Sequence, residues 1–173
     1  MMLRVIGAVL VIGGCGYTGL RIGDGYRLRT EMLRSLQNGL NLLETEISYA
    51  STPLPQALSR VGEKLSHGSS TLFLRAAQLL QSNKGITASE AWDEGIKILK
   101  EQVPTVKEEI SILTIFGRSL GCSAKVEQLK NIALAREQLA FIEKQAVEAR
   151  RKYERMWQYL GFCLGATIVL MLL

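Results

Sequence analysis

The sequence predicts an all-α protein: a compact antiparallel bundle of about six helices with a transmembrane helix at each end. Three observations predict it. Apolar residues recur three and four apart through nearly every stretch of the middle, as they must on one face of a helix. Short breaks rich in proline, glycine and serine separate these stretches, and an uncharged apolar run closes each end. The expected domains are an N-terminal span over 1–22, a cytosolic bundle over 27–155 and a C-terminal span over 156–173.

Val5 to Leu20 carries no charge and is bracketed by Arg4 and Arg21. At ~1.5 Å per residue it reaches about 24 Å, short of the ~30 Å hydrocarbon core but within what snorkelling arginines and a thinned bilayer accommodate. In the first helix of the middle, Leu33, Leu36, Leu40, Leu43 and Ile47 form one stripe. It stops near Ser51-Thr52-Pro53, where Thr52 is expected to cap a second helix with Pro53 in its first position. Leu54, Ala57, Leu58, Val61 and Leu65 continue that helix, and His67 to Ser70 is expected to break it.

Leu72, Phe73, Ala76, Leu79 and Leu80 mark a third helix, stopped by Gly85. Thr87 and Glu90 have capping-box spacing ahead of Ala91, Trp92, Ile96 and Leu99. After Pro104, Thr105 and Glu108 repeat that spacing, and Ile110, Leu113 and Phe116 follow as a fifth helix closed by Gly117 and Gly121. The last helix differs. Ile132, Ala135, Leu139, Ile142, Ala146, Ala149, Tyr153 and Met156 form a heptad seam that runs into the C-terminal apolar segment. The seam suits either packing on the first helix of the same chain or self-association into a homo-oligomer. Met156 to Leu173 is uncharged over about 27 Å, opens with Trp157 and Tyr159, and carries the small-residue pair Gly161 and Gly165.

Charge is distributed to match. The 173-residue chain has a formal net charge of +5, but Arg21, Arg27, Arg29, Arg150, Arg151, Lys152 and Arg155 lie just inside the apolar ends. The rest of the middle is near neutral, which excludes a nucleic-acid-binding stripe. The positive-inside rule then places the middle in the cytosol, with Arg21, Arg150, Arg151, Lys152, Arg155 and Trp157 at the membrane interface.

Two other readings compete for the N-terminus. Gly14-Cys15-Gly16-Tyr17-Thr18-Gly19 matches G-x-G-x-x-G, with Glu44 at a plausible distance for a ribose contact, but no later strands supply the sheet a dinucleotide fold needs. Ile12-Gly13-Gly14-Cys15 resembles a lipoprotein cleavage box, which would make the chain a lipid-anchored extracytoplasmic spacer, although the apolar run continues past Cys15.

Catalytic signatures are missing. There is one histidine, His67, and no phosphate-binding loop, H-E-x-x-H, cysteine–histidine cluster or G-x-S-x-G. Cys15, Cys122 and Cys163 have no ligand spacing. Glu44 and Glu46 diverge on a helix, and Glu108 and Glu109 suit a helical first turn. No enzyme, cofactor or metal is expected.

Leu43-Glu44-Thr45-Glu46-Ile47-Ser48-Tyr49 followed by Thr52-Pro53-Leu54-Pro55-Gln56-Ala57-Leu58 resembles the stage III sporulation protein AB family of endospore-forming bacteria. So do Thr71-Leu72-Phe73, Ala88-Ser89-Glu90-Ala91-Trp92, the stretch from Glu109 to Gly121, and Lys152-Tyr153-Glu154-Arg155-Met156 leading to Leu160-Gly161-Phe162. The likeness covers nearly the whole chain. It departs at Leu120-Gly121-Cys122-Ser123-Ala124, where the family's usual aspartate is absent. Pro53 to Leu58 and Thr87 to Trp92 are also similar to motifs in type II secretion and type IV pilus inner-membrane platform proteins. The resemblance implies a non-catalytic platform component of a sporulation channel between mother cell and forespore. It implies a seat in the mother-cell membrane, beside a cytosolic secretion-type ATPase and pilin- or ring-forming partners. Candidate partner-binding residues are Glu46, Tyr49, Thr52, Phe116, Gly117 and Gly121; the bland alternative makes the glycines helix ends and Phe116 core.

Overall fold

Periodicity of three and four turns into helix at every stretch that carries it. The computed structural model describes residues 25–50, 52–82, 85–121 and 124–172, and for 67, 153–155 and 157–172 it describes the backbone alone. Helix α1 covers 25–45 and ends in a wider, π-helical turn, Glu46–Ala50. It is followed by α2 (Leu54–Lys64), α3 (His67–Gln81), α4 (Ala88–Gln102), α5 (Lys107–Ser119) and α6 (Lys125–Leu172). No strand occurs among the described residues, so the sheet required by the dinucleotide reading is missing there. Among the described residues no helix is long and apolar enough to cross a membrane. The expected span over 1–22, with its glycine motif, Cys15 and Arg21, lies outside the described residues. The backbone of the expected second span, 156–173, continues α6 to Leu172, but its side chains from Trp157 onward are outside the described set.

Contacts divide the chain into a compact unit, Leu28–Lys144, and a second unit composed of Met1–Arg27 and Gln145–Leu173. The described backbone of the second unit is helical. The first unit is the bundle. Its successive helices run antiparallel, as the residue pairings show. Gln81 on α3 donates to the Pro55 carbonyl on α2 at 3.4 Å, whereas Ser70 donates to Gly62 at 2.7 Å. A Cβ on Gly95 would meet Leu72, while one on Gly68 would meet Val103, fixing α3 against α4. Along α1 and α6, Arg34 meets Glu143, Asn41 meets Arg136, and the Ser48 carbonyl accepts from Lys125.

The core follows the predicted stripes, with Leu54, Leu65, Leu79, Leu80 and Ile110 half-buried at its margin. Leu33, Leu36, Leu40 and Leu43 of α1 are fully buried, as are Phe73, Trp92, Leu99 and Leu113, and Ile132 and Leu139 of the seam on α6. Within this unit the seam therefore packs inside its own chain, where burying a Leu or Ile side chain contributes about 1.5–3 kcal/mol. Trp92 is the hub. Its ring meets Phe73 and Phe116 edge-on at 5.1 and 5.3 Å, and its indole N–H donates to the Leu113 carbonyl at 2.9 Å. Gly117 lies beneath it, where a Cβ would collide with Trp92 Cδ1.

Three helix starts differ from the sequence reading. α2 begins at Leu54 with Pro53 as its cap residue, because the Thr52 hydroxyl donates instead to Glu46 at 3.0 Å. His67 to Ser70 is not a break but the first turn of α3; the chain turns at Leu65 and Ser66. The hydroxyls of Ser69 and Thr71 donate to carbonyls three residues back, and small Gly68 fits against Val103, so these residues suit a crowded helix start. α5 begins at Lys107, and Glu109 rather than Glu108 reaches back to the cap, accepting from the Val106 N–H at 3.0 Å. Burial decides that register: Glu109 is fully buried and also accepts from Arg29 Nε at 2.6 Å. The Thr87–Glu90 capping box forms as expected, with reciprocal bonds of 2.9 and 3.2 Å.

Candidate functional site

The stripe of α1 reaches Ile47 and ends in the π turn, where one carboxylate sets the path of the chain into α2. Glu46 accepts from the Thr52 hydroxyl at 3.0 Å and from Arg60 of α2 at 3.2 Å. Thr52 Oγ1 donates the bond that contributes most, and Arg60 adds to it, so together they hold the Glu46 carboxyl below the ordinary carboxylate range. The backbone closes the same turn, with the Thr52 N–H donating to the Glu46 carbonyl at 3.4 Å. This clamp pins both ends of a wide turn and turns Tyr49 outward, leaving it 88% exposed. π-helical turns occur frequently at functional sites.

Other elements reach the same end of the bundle. The Lys125 ammonium, at the first position of α6, donates to the Ser48 carbonyl at 2.8 Å and also complements the negative end of α1. Its neighbour Val126 is 80% exposed. Gly121 has φ +76°, a left-handed conformation suited to glycine, and a Cβ there would meet Ala88 of α4 at 3.1 Å and Leu54 of α2 at 3.9 Å. The turn after α5 is therefore seated beside the start of α2, close in sequence to Thr52.

The structure thus brings Glu46, Tyr49, Thr52 and Gly121 to one end and separates Phe116 and Gly117 from them. Phe116 is only 3% exposed and meets Trp92 edge-on, and Gly117 packs against the same indole. These two residues shape the core behind the site and are not available to a partner at the surface. Val126 and Lys125 were missed by sequence reasoning, although a valine off the Ile132–Ala135–Leu139 seam is a legible signal. Of the interface residues, Arg151 and Lys152 are exposed and Arg150 is half-buried on α6; Arg21 and the side chains of Arg155 and Trp157 lie outside the described residues.

The chemistry at this end is that of contact. Its carboxylate is engaged by a hydroxyl and a guanidinium, and Tyr49 presents a large, stiff, amphipathic side chain of the type that anchors protein interfaces.

Comparison with known proteins agrees in one direction. The family model described as Stage III sporulation protein AB matches residues 4–173. Stage III sporulation protein AB of Bacillus subtilis (strain 168) is 33% identical over 172 residues, covering 99% of this chain and 100% of the relative. A solved structure of Stage III sporulation protein AB (SpoIIIAB) superposes with a TM-score of 0.67 at 31% identity, covering 72% of this chain and 98% of the solved one.

Proposed function

The chain belongs to the stage III sporulation protein AB family, and from that premise we propose that it is a non-catalytic platform of a secretion-like channel between mother cell and forespore. In this reading the two apolar ends anchor it in the mother-cell membrane, the bundle faces the cytosol, and the π-turn end docks a secretion-type ATPase. The observation that carries the docking is the exposure of Tyr49 and Val126, on segments joined by the Lys125–Ser48 bond, over a well-packed interior. Neither side chain belongs to the Trp92-centred core, so both are free to meet a partner.

Docking is tested with the purified chain and the secretion-type ATPase of the same organism by titration calorimetry. Tyr49→Ala combined with Val126→Ser is expected to weaken binding about tenfold or more, the scale of losing an interface anchor of roughly 1.4–2 kcal/mol. Equal binding by the variant rules out this end. The orientation has its own test in protease treatment of sealed, right-side-out bacterial membranes. Protection of the bundle until the membrane is opened supports the platform; digestion from outside favours a lipid-anchored extracytoplasmic protein.

A further inference from the structure

Each flank of α5 carries a groove. One, between the end of α4 and α5, is lined by Lys100, Lys107, Ile110, Ile115 and Arg118. The other, between α5 and α6, shares Ile115 and Arg118 and adds Leu134. Ile115 is 63% exposed and Leu134 is 52% exposed, so the ridge and wall between the grooves are apolar and open. Neither residue belongs to the inward stripe of its helix, which runs through Leu113 and Phe116 on α5 and through Ile132, Ala135 and Leu139 on α6.

The charges are one-sided. Every charged side chain lining the two grooves is a cation. Among the described residues, Lys100, Lys107 and Arg118 make no side-chain hydrogen bond or ion pair. Elsewhere in the same unit five cations are paired with carboxylates, Arg29 to Glu109, Arg34 to Glu143, Arg60 to Glu46, Lys97 to Glu94 and Arg136 to Glu44, while Lys64, Lys130 and Lys144 are not. The groove between α2 and α3 offers the contrast, since its one cation, Arg75, is bonded to Gln78. Glu101 and Glu108 are exposed nearby in sequence but line neither groove.

We propose that the α5 face is a second docking surface, for an acidic amphipathic helix of a partner protein. The geometry sets its length. Lys107 and Arg118 stand at the two ends of α5, about 16 Å apart along a helix rising ~1.5 Å per residue. A segment of about three turns lying in the α4–α5 groove spans that distance, with carboxylates over Lys100, Lys107 and Arg118 and Leu- or Ile-type residues against Ile110 and Ile115. Helix-in-groove recognition reads such anchors at i, i+3, i+4 and i+7. A groove of that length beside the Ile115 ridge favours a rod-shaped occupant over a flat anionic bilayer. Its lining residues include none of Glu46, Tyr49, Thr52, Gly121 and Val126 of the π-turn end, and the inference does not depend on which protein docks there.

The test is photo-crosslinking of the full-length chain in sporulating cells. A photoreactive phenylalanine derivative replaces Ile115, and the crosslinked peptide is sequenced. The expected adduct is a segment with apolar residues three and four apart and Asp or Glu on the flanking positions. Its yield is expected to fall about tenfold or more when Lys100, Lys107 and Arg118 are all changed to Glu, as charge reversal at a complementary surface cuts encounter rates. All three side chains are exposed, and an unchanged thermal midpoint checks that the variant folds. The partner's identity separates this inference from docking at the π-turn end: an acidic helix from any protein supports the groove, whether or not that protein is the ATPase. An adduct to lipid, to a second copy of this chain or to a segment without acidic residues overturns the proposal, as does no adduct or a yield indifferent to the charge reversal.

Discussion

At the scale of single residues, two buried contacts decide how rigid the bundle is. Gly117 is helical, and Ala in its place would gain about 1 kcal/mol of helix propensity. That gain is outweighed, because the new Cβ would collide with Trp92 Cδ1. Trp92 has little room to retreat, being held by Phe73, Phe116 and the Leu113 carbonyl. Overpacking of this kind costs about 1–3 kcal/mol, so Gly117→Ala is expected to lower the urea midpoint of the chain. An unchanged or raised midpoint contradicts this packing. The second contact is Arg29–Glu109, in which the carboxylate is fully buried and the guanidinium about one-fifth exposed. Removing the arginine strands a buried charge. Since the loss of one partner of a buried pair costs ~3–5 kcal/mol, the partial exposure of Arg29 places Arg29→Ala at about 2–3 kcal/mol in denaturant titration.

At the scale of elements, helix ends and helix pairing give separate signals. The Thr87–Glu90 box is local, and Thr87→Ala is expected to cost about 1 kcal/mol by thermal unfolding. Glu90 itself is held below the ordinary carboxylate range by the Thr87 N–H and hydroxyl. Between α1 and α6, Glu143 pairs with Arg34 and Gln37 at 2.6 and 2.9 Å. Burial pushes its pKa up, but the bonds to Arg34 and Gln37 outweigh that and leave it lowered. Glu46, Glu90 and Glu143 therefore share one sign: each has a folded-state pKa below its unfolded value of about 4.3. Their contribution is fully present above that value and is lost as pH falls through the folded pKa values. The melting temperature is expected to fall as pH is lowered from about 5 to about 3, and Glu143→Gln to flatten part of that fall. A midpoint that rises on acidification contradicts these assignments. On α6 the seam is filled by its own chain, so Leu139→Ala is expected to cost about 2–5 kcal/mol, whereas Phe141, 64% exposed, tolerates Ser with little change.

For the whole molecule, the buried core and the exposed apolar residues proposed for docking occupy different places. The interior is organised around Trp92 and the α1–α6 seam, while the exposed apolar residues Tyr49, Val126, Ile115 and Leu134 lie away from it. Substitutions at those four positions are expected to leave unfolding nearly unchanged and to act on partner binding, a separation that paired melting and binding measurements read directly. The two candidate surfaces were unequally legible beforehand. Glu46, Tyr49 and Thr52 lie within a few residues of one another, so a single stretch of sequence points to them. Phe116 and Gly117 lie equally close to Gly121 in sequence but face the core, because a helix turns neighbours about 100° apart and Trp92 occupies one side of α5.

That the described middle is helical, and the inward stripe of each helix, were determined by the sequence itself apart from helix starts such as His67–Ser70, since the 3.6-residue period is a local property written in Leu33, Leu36, Leu40 and Leu43 and their equivalents. Three things were decided only by the tertiary structure. Burial against Arg29 chose Glu109 over Glu108 as the residue that caps α5. Competition for the Thr52 hydroxyl, won by Glu46, moved the start of α2 and shaped the π turn. The gathering of Tyr49, Gly121 and Val126 at one end, and of three unmatched cations around α5, depends on which helices are neighbours. Neighbourhood across tens of residues is settled by packing the stripes together, and no local pattern records it.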